Sequence, residues 1–443
     1  MPVLGLAQTE GFTVPEHKVA EMAAEVAGAL AAEFGDALLE PTPAQAEQVR
    51  RRIYGLLQSV GPRYGLRPGQ VSEAAARIAD QVLGYGFLEP LVQAAAEEKL
   101  NEVVVNPDGS VFVQPAGETL FWPVVVDPTG RVTWVPWGKE GNYRPYRPAL
   151  LDVQVTVAKL LASVGVQASE ANPIVSAKIP PSSRLPAGAR VHVVIPPAAV
   201  GEYPAVNVRF YTARPVTDEL LVDRWKMLSP RIAEALTRAV LDGRRIVVSG
   251  HTGVGKTTLL SWLSSKIPDH ERIVTAEDPA ELYFDKPNRV TMEVQHGGVG
   301  GEFAVPMGAL VTSAMRMTPS WLVVGEVRDG EAAHWLLRAQ LSGHHGLSSI
   351  HAESARDAVE TFTLLINLSG NARYSRQALK ELFARAVDLV VHIGLDPWGV
   401  RRVLTVHRVP RTLKAGNVDL RPWFRYDPDT STEEEPVWKE VEP

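Results

Sequence analysis

Residues 244–267 read RRIVVSGHTGVGKTTLLSWLSSKI. A short apolar run ends in a glycine-rich turn, and a helix-forming run starts directly after it. Read from Gly250, the turn spells glycine, four free positions, glycine, lysine and threonine, with Gly255, Lys256 and Thr257 in the last three fixed places. This is the phosphate-binding loop pattern of nucleoside triphosphatases. The glycines let the backbone curl with its N–H groups pointing inward, and the following helix N-terminus faces the same phosphate. Lys256 then reaches the β and γ phosphates of a nucleoside triphosphate, and the Thr257 hydroxyl holds Mg²⁺. Four fixed positions arise by chance in a chain of this length roughly one or two times in a hundred. The strand before and the helix after make a bare glycine-rich turn rarer still.

Outward from the loop, the chain alternates. RIAEALTRAVLDG reads as a helix, RRIVVSG as a strand, TTLLSWLSSKI as a helix, RIVTAED and WLVVGEV as strands, and EAAHWLLRAQLSG as a helix. Such alternation predicts an α/β domain with a mostly parallel sheet covered on both faces. Its expected span is 229–425. Before it, helical patterns over 41–83 lead into short β runs broken at Asp108-Gly109 and Thr129-Gly130, both hairpin signals. A helix (VQVTVAKLLASVG) and two strands (ARVHVVIPP and YPAVNVRFY) complete an α+β domain over 41–212. Residues 1–40, rich in alanine and poor in large apolar side chains, read as a peripheral helical extension. The proline-punctuated segment 213–228 reads as a linker, and the acidic segment 426–443 as a flexible tail.

The 443 residues exceed one ordinary core, and 45% of them are hydrophobic. No apolar run reaches the length of a membrane span, and the first residues lack the basic and apolar parts of a secretory signal, so a cytoplasmic protein is expected. The absence of cysteine excludes disulfides and thiolate metal sites. A net charge of −6 argues against a protein that coats nucleic acid over its surface.

Three further segments carry chemistry. WLVVGEV ends in Gly325-Glu326, and a carboxylate at the C-terminal end of a parallel strand projects into the crevice where ligands bind. Glu326 there can orient Mg²⁺ or polarise the attacking water. RIVTAEDPAEL ends a strand in Glu277 and Asp278, acids that either serve the site or cap a helix starting at Pro279. SGHHGLSSIHAES holds His344, His345 and His351 without a recognised metal register, which favours a polar loop and strand over a zinc site.

In fixed order, these four segments resemble the secretion ATPase superfamily of type II and type IV secretion systems and type IV pili. Within it the chain is most similar to the CpaF-type ATPases of tight-adherence (Tad) pili and their type IV secretion and conjugation relatives. GHTGVGKTT matches the Walker A loop, RIVTAEDPAEL the aspartate box, MRMTPSWLVVGEVRDGEA the Walker B region and GHHGLSSIHAES the histidine box. RIADQVLGYGFLEPL with NEVVVNPDGSVFVQ resembles the N-terminal domain, and AVDLVVHIGLDPWGVRRV extends the likeness downstream, so that residues 45–425 are covered.

The resemblance implies a RecA-like P-loop ATPase domain preceded by an α+β (PAS-like) N-terminal domain. It implies a homohexameric, ATP-hydrolysing motor on an inner-membrane platform protein, peripheral to the membrane, for pilus assembly, secretion or conjugation. ATP is then bound by Gly250, Thr252, Gly253, Val254, Gly255, Lys256, Thr257 and Thr258, between the two domains. Glu326 is the Walker B glutamate, and Glu277 and Asp278 are the aspartate-box acids, with Glu281 beside them. His351 is the histidine-box residue, Thr257 and Glu326 hold Mg²⁺, and Arg190, Arg209 and Arg316 are phosphate-contacting arginines. Thr318 and Ser320 stand where relatives carry arginine and aspartate, and Gln295 replaces a common arginine. These departures support an alternative, a nucleotide-gated scaffold with little hydrolysis. A DNA-translocating helicase is a third reading, opposed by the net acidity. The aromatics Trp122, Trp134, Trp137, Tyr143 and Tyr146, interleaved with Arg131, Arg144 and Arg147, suit a small packed sheet or a partner surface better than direct nucleic-acid binding.

Overall fold

A computed structural model describes residues 14, 16–97, 99–211, 215–295, 304–370 and 374–441. Contacts divide the chain into two compact units, Met1–Thr212 and Ala213–Pro443.

The first unit begins with three helices, α1 (Glu16–Phe34), α2 (Pro43–Val60) and α3 (Val71–Val82). Thr42 caps α2 through a capping box with Gln45, and Pro43 takes the first helical position, where no N–H is needed. Helix α1 is no peripheral extension. Its Val19, Met22, Val26 and Leu30 are buried in one cluster with Ile53, Leu57, Ile78, Val82 and Val155. Alanine misled the expectation because small residues let helices approach closely, so a helix with few large side chains still buries a face. Residues 1–13 of that segment lie outside the described residues.

Helix α4 (Glu89–Ala96) leads into β1 (Leu100–Val105), β2 (Val111–Pro115), β3 (Trp122–Val126), β4 (Val132–Trp134) and β5 (Arg144–Pro145), then α5 (Leu150–Ala162), β6 (Ile174–Ile179), β7 (Ala189–Val194) and β8 (Ala205–Phe210). The sheet runs in the order β4-β3-β2-β1-β8-β7-β6, with β5 paired to β3. Every pairing in it is antiparallel. Burial alternates along β7, so one face packs Val191 and Val193 with Val206, Val208 and α5's Val153 and Leu160, while the other stays polar.

The second unit continues with α6 (Pro230–Leu241), β9 (Ile246–Gly250), α7 (Lys256–Ser265), β10 (Ile273–Glu277), β11 (Arg289–Glu293), α8 (Met307–Ala314), β12 (Trp321–Val327), α9 (Gly330–Leu341), β13 (His345–His351), α10 (Ala355–Leu368) and α11 (Arg376–Ala386). It closes with β14 (Leu389–Leu395), β15 (Arg401–Arg408), the short ribbon β16 (Leu413–Lys414) and β17 (Asn417–Val418), β18 (Arg421–Tyr426) and β19 (Trp438–Glu440). The main sheet is β11-β10-β12-β13-β9-β14-β15-β18-β19, with every pair from β11 to β14 parallel and the last three antiparallel. Helices α8 to α11 bury one face and α6 and α7 the other.

Two segments depart from the expected organisation. Residues 215–228 are built into this unit, not a free linker: Leu221, Met227 and Leu228 are in its core, and the buried Arg402–Asp396 pair donates from Arg402 to the carbonyls of Trp225 and Lys226. Residues 213 and 214 lie outside the described residues. The acidic tail is also ordered through residue 441, because β19 pairs with β18 and the Trp438 indole donates to the Val403 carbonyl at 2.6 Å. Acidic composition hid a strand whose edge pairing satisfies its backbone.

Candidate phosphate-binding site

Strand β9 is buried along its whole length and lies between β13 and β14, which brings the loop after it to the centre of the sheet's C-terminal edge. The loop needs its glycines. A side chain at Gly250 would meet the Ile393 carbonyl oxygen at 2.4 Å. Gly255 has φ +101° and caps α7, a left-handed turn that only glycine adopts without strain. Lys256 is the first residue of α7; its Nζ donates to the carbonyls of Gly250 (3.0 Å) and His251 (2.9 Å) and stands 3.4 Å from Glu326 Oε1. Val254 is buried, Thr252 and Gly253 are exposed, and Thr257 and Thr258 fill the first turn of α7.

Glu326, on β12, reaches the loop from the neighbouring part of the sheet. Its second oxygen accepts from Arg328 Nε at 2.5 Å, and Arg328 Nη1 contacts Asp278 Oδ2 at 3.3 Å. Burial opposes the charge on Glu326, but Arg328 and Lys256 outweigh it and hold the carboxyl below its usual range. Glu326 is therefore an anion beside the phosphate-loop lysine. His351 ends β13 and closes the third side. Its Nε2 accepts from the Thr252 backbone N–H at 3.1 Å and lies 2.8 Å from the Thr252 hydroxyl. Accepting that bond requires a neutral ring, consistent with the lowering of its pKa by burial and then by Lys256.

Glu277 ends β10 at the same sheet edge, and its carboxylate is buried, accepting from Thr275 Oγ1 (2.9 Å) and from the backbone N–H groups of Glu281 and Leu282 (both 2.8 Å). Burial raises its pKa against these hydrogen bonds. It shapes the segment 278–282 and so positions Asp278. Arg316 is separated from this loop. It follows α8 and precedes β12, at the N-terminal edge of the sheet, whereas the phosphate loop lies at the C-terminal edge. The seven-residue β12 alone spans roughly 20 Å between those edges. At the same far edge Thr318 adopts φ +54°, a strained conformation for a β-branched residue, and Arg272 Nε donates to the Met317 carbonyl at 2.7 Å.

The three histidines divide the same way. His344 and His345 bond the Pro319 and Gly243 carbonyls at the start of β13, and His351 sits at its end. Among the aromatics of the first unit, Trp134 and Tyr146 pack on the core, while Trp137 and Tyr143 are exposed.

Arg190 and Arg209 belong to the first unit, where strand register sets them directly opposite each other on β7 and β8. Lys178 on β6 stands opposite Arg190, and Glu102 on β1 opposite Arg209. Reading the sequence overlooked Lys178, because nothing local marks it. Only the pairing of β6 with β7 puts it in this row.

A family model described as type II/IV secretion system protein matches residues 147–392, more than half of the chain. The chain belongs to the type II/IV secretion system ATPase family. It is similar to the type IV secretion system protein VirB11 of Bartonella quintana (strain Toulouse), with 30% identity over 340 residues, covering 69% of this chain and 87% of that relative. The conjugal transfer protein TrbB of Rhizobium radiobacter is 31% identical over 325 residues, covering 72% of this chain and 87% of that relative. Among solved structures, the VirB11 ATPase of Brucella suis in complex with sulphate shares 27% identity, covering 73% of this chain and 97% of that one, with a TM-score of 0.35. The second unit is a mostly parallel α/β sheet carrying the phosphate loop, and the first is an α+β unit, as expected of a two-domain α/β ATPase of this family.

Proposed function

We propose that this family member is an ATP-hydrolysing motor that assembles as a homohexamer and works against an inner-membrane platform protein from the cytoplasmic face, driving secretion, conjugation or pilus assembly. The observation that carries the reading is the convergence of Lys256, Glu326 and His351, from three separate elements, on one phosphate loop. Lys256, now bonded to its own loop's carbonyls, turns to the β and γ phosphates when ATP binds, and the amides of residues 253–258 cradle them. Thr257 and Glu326 suit Mg²⁺, a hydroxyl and a carboxylate beside a phosphate loop, and the ion supplies neutralisation of phosphate charge. Glu326, ionised by its surroundings, orients the attacking water. His351 reports the terminal phosphate through Thr252. Arg190 and Arg209 are phosphate-binding cations, because two guanidinium groups opposite each other on paired strands form a fork for one anion. Among the described residues no helix is long and apolar enough to cross a membrane, so in this reading attachment runs through a partner.

The test is steady-state phosphate release together with nucleotide binding on the purified chain. Lys256→Ala is expected to abolish turnover and weaken binding, whereas Glu326→Gln abolishes turnover with binding retained. Normal turnover by Glu326→Gln would show the catalytic assignment to be wrong. Sedimentation with and without nucleotide tests for six copies, and the membrane protein that co-purifies names the machine.

A further inference from the structure

At the sheet edge opposite the phosphate loop, the second unit holds a cavity of about 660 Å³ between α6 and the strands β14, β15 and β18. It lies where β14 begins and β15 ends. Strand register brings cations to it. Leu389 pairs with Ile246 on one side and Arg408 on the other, and both apolar residues belong to the core beneath α6. Arg408 therefore projects from the α6 face, and Arg244, two residues before Ile246, lines the same cavity. Arg411, just beyond β15, lines it too. Its φ of +55° is a left-handed conformation that is costly for a residue with a side chain, and such strain persists only where the surrounding structure imposes it.

The carboxylates around the cavity are committed elsewhere. Arg245 donates to both oxygens of Asp388, at 2.8 and 2.9 Å, so Arg411, at 3.4 Å, only shares that acid. On α6, Asp242 pairs with Arg238 and Glu234 with Arg231, each at 3.1 Å. Glu440 is held by Arg231 and by the Trp423 indole. Among the described residues Arg244 and Arg408 form no ion pair, and the Arg408 guanidinium lies 4.0 Å over the Trp423 ring. Three guanidinium forks are thus left beside one cavity without a carboxylate of their own. A carboxylate brings one charge and two oxygens, whereas a phosphate group brings nearly two charges and three oxygens, and so answers the three forks better. The volume is that of a small-molecule site, well beyond a bare ion.

We propose that this cleft is a second phosphate-binding site, which takes a phosphate-bearing small molecule or lipid headgroup on Arg244, Arg408 and Arg411. It is independent of the nucleotide loop, which lies at the other end of β9. The experiment titrates the full chain calorimetrically with inorganic pyrophosphate, the loop being filled beforehand with the non-hydrolysable β,γ-imido analogue of ATP. Binding is expected, and Arg244→Gln combined with Arg411→Gln should weaken it at least tenfold. Both residues are exposed, so the double variant keeps its fold. The paired lysine substitutions retain the charge without the forks and should recover only part of the affinity. Lys256→Ala, titrated without the analogue, should bind pyrophosphate as the unaltered chain does, whether or not the loop accepts a nucleotide. Co-sedimentation with phosphatidylglycerol vesicles, lost in the glutamine double variant, assigns the phosphate to a headgroup; pyrophosphate binding without co-sedimentation assigns it to a soluble ligand. No pyrophosphate binding outside the loop, binding unchanged by the glutamine substitutions, or binding lost in Lys256→Ala overturns the proposal. A glutamate peptide that binds more tightly than pyrophosphate overturns it as well.

Discussion

The two sheets of this protein place their polar side chains by opposite rules. In the second unit the central strands are parallel and covered by helices on both faces, and the residues of the phosphate-loop site stand at strand ends: Gly250, Glu326 and His351 all terminate strands or stand next to their ends. In the first unit the strands are antiparallel with one polar face, and Lys178, Arg190 and Arg209 lie across strand middles and ends in a row that only register defines. A strand-end site tolerates variation in strand partners but requires the loop to be right. A row site requires every register to be right and asks little of the loops.

The largest effect should come from breaking the row. Arg190→Ala with Arg209→Ala is expected to lower kcat/KM for ATP on the order of a thousandfold, by analogy with arginines that stabilise phosphoryl transfer, with the chain still folded by circular dichroism. A loss within tenfold would remove the row from the mechanism.

Next is the covered sheet's intolerance of internal charge. His392, on β14 beside the phosphate strand, is 7% exposed, with its Nδ1 3.1 Å from Ser249 Oγ. Burial, then His251 and His407, push its pKa down to about 4 from the ordinary 6.5. A depressed histidine means that the unfolded chain takes up the proton first. Its contribution is therefore complete above pH 6.5 and lost as the pH falls toward 4, an effect of about 3 kcal/mol. Calorimetric melting between those pH values should show it, and His392→Gln should reduce the dependence without removing it, because burial also pushes His407 down to about 4.

Glu277 gives a smaller effect of about 2 kcal/mol. Glu277→Ala leaves two backbone donors without an acceptor and should lower the melting temperature, whereas Glu277→Gln retains an acceptor and should restore it. If Glu277→Gln stops turnover while melting normally, the carboxylate has a chemical role beyond positioning. The smallest effect is expected from Arg316→Ala, where nucleotide affinity should stay within about twofold because the residue sits at the opposite sheet edge. A large loss in the isolated chain would break the separation between the two edges.

Much of the second unit was legible in the sequence. The loop pattern, the strand before it and the helix after it lie within a few residues of each other, and such local patterns need no knowledge of the rest of the chain. Glu326 and His351 were legible from segment order. The antiparallel extension β15-β18-β19 was not, because the acidic run that precedes β19 carries a disorder signature and its partner strand lies over ten residues upstream. Helix α1 was misjudged because alanine reads as weakly hydrophobic until the neighbour that it packs against is known.

By itself, then, the sequence determined that a phosphate loop lies between a strand and a helix, that acids and a histidine follow in fixed order, and that an α+β region precedes them. These are consequences of spacing along the backbone. Only the tertiary structure decided that Glu277 turns inward while Glu326 faces the lysine, that Arg316 sits at the far edge, and that Lys178 joins Arg190 and Arg209. The reason is that side chains alternate along a strand, so a slip of one residue in pairing sends a whole row to the other face. Register is set by contacts distant in sequence, and no local pattern contains it.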